Sequence, residues 1–69
     1  MQIYVGVDPN DSDIRFCGKN LAAVLRKIEE DCGGSLCWQE WRDRGSFHVI
    51  NWIDSVGEEL NIFVTVHEI

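Results

Sequence analysis

The softest donors in this 69-residue chain are Cys17, Cys32, Cys37, His48 and His67. A structural zinc site draws on closely paired thiolates, most often C-x2-C, closed by further cysteine or histidine. No C-x2-C pair occurs here, and four residues, two of them glycine, separate Cys32 from Cys37. Cysteines that fill small apolar sites account for such a pattern, so no metal is expected. A second constellation is Glu40 with His48. A carboxylate beside an imidazole can orient a general base, but acyl or phosphoryl chemistry also needs a nucleophile and an anion-stabilising site. In the strand register argued below, Cys37 falls on the other side of its strand, so a Cys-His arrangement is not supported. Neither catalysis nor a cofactor is expected.

The loop Asp8, Asn10, Asp11 and Asp13 is acidic enough to suggest a cation. A calcium loop of the EF-hand type wants glycine at its sixth position and glutamate at its twelfth. Counted from Asp8, those positions are Asp13 and Lys19, and turn formation explains the residues instead. The segment Ile3-Tyr4-Val5-Gly6-Val7-Asp8-Pro9 resembles the first strand of Holliday-junction resolvases and related ribonuclease-H-like folds. That resemblance implies a metal-binding role for Asp8. Such nucleases need further carboxylates on a sheet with several helices, and this chain is too short to hold that fold.

The elements that position these residues follow from local pattern. Gln2–Val7 alternates, with Ile3, Val5 and Val7 on one side, and reads as a half-buried strand. Asp8-Pro9-Asn10-Asp11 is a turn, and Asp13–Cys17 returns as a short second strand. Asn20 is a good N-cap for an amphipathic helix whose stripe is Leu21, Val24, Leu25, Ile28 and Cys32; Gly33-Gly34 ends it. Strands follow at Ser35–Trp41, Phe47–Ile53 and Leu60–Ile69. The expected fold class is α+β, with one helix on a mostly antiparallel sheet of four or five strands in a single small domain.

A three-residue first loop with a bulge at Gly45 puts Trp41 opposite Phe47, Gln39 opposite Val49 and Cys37 opposite Asn51. Glu40 then faces His48, Trp38 faces Ile50, and Leu36 faces Trp52. With Ile53 opposite Leu60, one face collects Trp41, Phe47, Val49, Ile53, Leu60, Ile62, Val64 and Val66, where the helix should sit. The other collects Leu36, Trp38, Ile50, Trp52 and Phe63, mixed with Glu40, His48, Asn61, Thr65 and His67. One helix shields one side of a sheet, so this second, aromatic face is the expected partner-binding surface, carried by Trp38, Ile50, Trp52, Phe63, Glu40 and His48.

Charge narrows the partner. Twelve acids against six bases leave a net charge of −6, which repels phosphate backbones and anionic membranes and attracts basic surfaces. Direct nucleic-acid binding is therefore a minor alternative, and no membrane partner is expected. No apolar run is long enough to span a bilayer, and the first ten residues have no secretory pattern. Three reduced cysteines suit the cytoplasm. The acidic clusters Glu29, Glu30 and Asp31, and Asp54, Glu58 and Glu59, are expected to steer the chain to another protein with a basic surface. In size, charge and architecture it is similar to phage-encoded inhibitors such as anti-CRISPR proteins and to bacterial immunity proteins. That likeness implies a non-catalytic inhibitor of a nucleic-acid-handling, defence or toxin protein. The competing expectation is a homodimeric or subunit-type structural module that uses the aromatic face.

Overall fold

The computed structural model describes residues 1–69, apart from the side chain of Ser12. Five strands and one helix follow in the order β1 (Gln2–Asp8), β2 (Asp11–Gly18), α1 (Leu21–Cys32), β3 (Ser35–Arg42), β4 (Phe47–Ile53) and β5 (Glu59–Glu68). They form the expected α+β fold: one helix on a single five-stranded sheet of order β2-β1-β5-β4-β3, with every neighbouring pair antiparallel. Asx turns close the first hairpin, where Asp8 Oδ1 accepts from Asn10 N at 2.8 Å. The second strand is longer than its apolar pattern suggested, because pairing with β1 carries it to Gly18.

The helix begins where predicted. Asn20 is extended, and its side-chain oxygen accepts from Ala23 N at 2.9 Å, satisfying one of the orphan donors of the first turn. At the other end Gly33 adopts φ 68°, a left-handed conformation that glycine takes without penalty. Val24 and Ile28 are fully buried and form the centre of the stripe. They pack with Phe16, Ile50, Trp52, Ile62 and Val64 in one core. Gly6 lets the helix approach: a Cβ there would lie 2.9 Å from Ile62 Cγ2. The Trp52 indole Nε1 donates to the Gly33 carbonyl at 2.6 Å, tying β4 to the helix terminus.

The hairpin registers differ from expectation by one residue. Four residues, 43–46, lie between the closing pair Arg42 and Phe47, so Trp41 faces His48 instead of Phe47. Asp43 (φ 52°) and Arg44 (φ 58°) both take left-handed backbone, the pattern of a type I′ turn, closed by Gly45 N donating to Arg42 O at 3.1 Å. The second loop is also offset. Ile53 pairs with Glu59, not Leu60, while Asp54 Oδ1 accepts from both Val56 N and Glu58 N inside the loop. Strand β4 is thereby turned over relative to both neighbours. A bulge at Cys37 then restores the expected pairing of Leu36 with Trp52.

Candidate docking surfaces

The register decides what each face shows. On the helix side lie Tyr4, Gly6, Phe16, Leu36, Gln39, Trp41, His48, Ile50, Trp52, Leu60, Ile62, Val64 and Val66, as the cross-strand pairs require. On the other side lie Ile3, Val5, Val7, Trp38, Glu40, Phe47, Val49, Asn51, Ile53, Phe63 and Thr65, with no helix over them. The aromatic face expected from the sequence is therefore split. Trp38, Phe63 and Glu40 stay on the uncovered side. Ile50, Trp52 and His48 move under or beside the helix, where they are buried at 0%, 3% and 3% exposure. In exchange, Phe47, Val49 and Ile53, expected in the core, join the uncovered face. Trp41 keeps its expected side but lies beyond the reach of the helix and is 47% exposed.

An aromatic layer shields part of the uncovered face. Phe47 and Phe63 approach to 5.8 Å between ring centroids, and the Arg42 guanidinium sits 5.6 Å over Trp38. Asn51, buried among them, donates to Glu59 Oε1 at 2.8 Å and Asn61 Oδ1 at 2.9 Å. Phe63 and Trp38 remain 40% and 41% exposed at the centre and edge of the face. On the other side of the sheet, an open groove of about 430 Å³ runs between the helix and β3, floored by Trp52 and Leu36.

Glu40 and His48 do not form a pair. Glu40 faces Val49 and binds Arg42 instead, with Oε1 2.6 Å from Nη2. His48 lies on the opposite face, where its Nε2 is 2.8 Å from Gln39 Oε1 and Trp41 stacks on it at 4.7 Å. His48 Nδ1 is buried without a partner, and burial lowers the pKa of this ring below the ordinary histidine value. Among the described residues, no group of three or more cysteine, histidine, aspartate or glutamate side chains is placed to hold a metal.

The acids are brought together more than the sequence suggested. The β1–β2 turn, the helix C-terminus and the β4–β5 loop all lie at one end of the sheet, as the strand directions dictate. Ser55 N donates to Cys32 O at 3.1 Å, so the loop and the helix terminus touch. That end gathers Asp8, Asp11 and Asp13, Glu29, Glu30 and Asp31, and Asp54, Glu58 and Glu59. Of the twelve acids, only Glu40, Asp43 and Glu68 lie elsewhere. No base stands in the last helical turn, and the carbonyl end of the helix dipole adds to the negative potential. Cys32 senses this environment: burial first, then Asp31, Asp54 and Asp8, push its thiol pKa up. Arg15, opposite Val7, brings positive charge near this end; Lys19, Arg42 and Arg44 sit at the far one.

No helix among the described residues is long and apolar enough to cross a membrane. Set against known proteins, the chain matches no family model, no curated protein and no solved structure.

Proposed function

We propose that this chain is a non-catalytic protein-binding module, an acidic inhibitor that docks on a basic surface of a nucleic-acid-handling, defence or toxin protein. One observation carries this reading: three segments distant in sequence converge to place nine named carboxylates and a helix carbonyl end at one pole. Such a pole imitates the field that a basic, phosphate-binding surface is built to attract, and long-range attraction speeds encounter with it. The chain itself, at a net charge of −6, is repelled by nucleic acid. Free Cys17, Cys32 and Cys37 suit a reducing cytoplasm as the meeting place.

Affinity capture from a host lysate, run beside a Glu29→Gln, Glu30→Gln, Asp31→Asn variant, tests the reading. These side chains are exposed, so the fold should survive the isosteric substitutions. The expected result is a basic partner displaced by added nucleic acid, with affinity at least about tenfold weaker for the variant and falling with salt. A partner held equally well by the variant, or indifferent to nucleic acid, would overturn it.

A further inference from the structure

We propose that His48 and Trp41 form a pH-sensitive latch, which holds the outer end of the β3–β4 hairpin closed at neutral pH and releases it on acidification. His48 is 3% exposed, and its surroundings suit only a neutral ring. Trp41, its cross-strand partner, covers it at 4.7 Å between ring centroids, and Gln39 Oε1 lies 2.8 Å from Nε2. Nδ1 is buried with no hydrogen-bond partner among the described residues. A neutral imidazole carries one proton, which Nε2 can hold toward Gln39. An imidazolium carries an N–H on both nitrogens, and the second is then buried without an acceptor. The ring meets that demand by swinging out to water, and Trp41 must move to let it pass.

No neighbouring charge offers an escape. Across β4, Val64 on β5 faces the ring, and Val66 follows it on the same side. Tyr4 on β1, opposite Val66, is the next titratable group on that side. Glu68 lies farther along β5, 3.8 Å from the Met1 amine. Glu40 and Arg42 on β3 take the opposite face and bind each other. In the turn beyond, next to Arg44, Asp43 Oδ2 accepts from Ser46 Oγ at 3.1 Å. The fold also makes the release local. Strand β3 is the margin of the sheet, it pairs only with β4, and all eight of its residues are exposed. Trp41 is already 47% exposed, whereas the core residues Val24, Ile28, Ile62 and Val64 lie on α1 and β5. A segment with so few buried contacts opens without the rest. The acidic pole is at the other end of the sheet, so the inference does not rest on the proposed docking role.

The direction follows from linkage. Burial lowers the pKa of His48 in the closed hairpin below the ordinary 6.5, so the open hairpin binds the proton more tightly. Opening is therefore rarest above pH 6.5, rises by up to about tenfold per pH unit below it, and levels off under the closed-state pKa. Proton NMR of the full chain from pH 7.5 to pH 5 tests the latch. The Trp41 indole and His48 ring resonances should move together, with one midpoint below 6.5. Amide exchange, corrected for its intrinsic pH dependence, should speed up at Trp41 relative to Ile62. His48→Gln, neutral throughout, should leave Trp41 indifferent to pH. Trp41→Ala uncovers the ring and should raise the His48 midpoint toward 6.5, which decides the matter if His48→Gln disturbs the fold by circular dichroism. Four results would overturn the proposal: a Trp41 resonance that ignores the titration of His48; a His48 midpoint at or above 6.5 in the unsubstituted chain; a midpoint unmoved by Trp41→Ala; or exchange at Ile62 accelerating in step with Trp41, which would make the transition global.

Discussion

The two faces of the sheet are similar in composition but differ in what covers them. Under the helix, Val24 and Ile28 close over Ile50, Ile62 and Val64, and all five are at or near zero exposure. Glycine at position 6 makes that close contact possible. On the opposite face, among the described residues, only Val49 and Asn51 reach that depth. Their shelter comes from the sheet's own aromatics and from the hydrogen bonds of Asn51. Ile3, Val5, Val7 and Phe47 are as hydrophobic as their counterparts, yet none is fully buried. Burial here reports cover by a second layer, not the greasiness of the strand.

The difference should be largest in stability. Trp52→Ala removes a buried ring and leaves the Gly33 carbonyl without its donor, and should lower unfolding free energy by about 3–5 kcal/mol. Phe63→Ala, measured at low concentration by urea denaturation, should lose only about 1 kcal/mol, because its ring already meets water. Equal losses would erase the distinction between the faces.

A smaller effect should come from His48, at the margin of the covered face where the helix no longer reaches. Its folded pKa is lowered by burial, so between that value and the ordinary 6.5 the unfolded chain binds a proton that the folded chain refuses. Its contribution to stability is full above pH 6.5, declines as pH falls below it, and levels off under the folded pKa. Denaturation midpoints followed from pH 8 to pH 5 should show this slope, and His48→Gln should remove it. A slope that survives the substitution would assign it to other groups.

The least perturbing comparison uses the thiols. At neutral pH, alkylation followed by mass spectrometry should modify exposed Cys37 first and half-buried Cys17 next. Cys32 should react last, because burial and the carboxylates around it disfavour its thiolate. Rapid modification of Cys32 would mean that the helix terminus opens readily from the β4–β5 loop.

Much of the architecture is legible in local pattern. Asn20 caps the helix, Gly33 ends it, and Leu21, Val24, Leu25 and Ile28 mark its buried stripe, because capping and 3.6-residue periodicity depend only on near neighbours. The strands and their α+β order follow from alternation in the same way. Which face each side chain takes is less legible. Trp38, Glu40 and Phe63 lie on the uncovered face as their alternation predicts, but Ile50, Trp52 and His48, predicted there too, lie on the helix side of the sheet. The error comes from turn length. Four residues close the first hairpin instead of three, five separate the second pair, and Cys37 bulges. The Asp43-Arg44 pair in left-handed backbone signals such a turn only weakly, since neither residue is glycine.

Composition, charge, the capped helix and the succession of strands along the chain are therefore legible in the sequence itself, whereas the order β2-β1-β5-β4-β3 in the sheet is not. Which aromatics face solvent, and the meeting of three acidic segments at one pole, were decided only by the assembled sheet. A strand's side chains alternate with period two, so a single residue added to a turn exchanges its faces. Acids far apart in the chain share a field only once strand direction brings their turns to the same end.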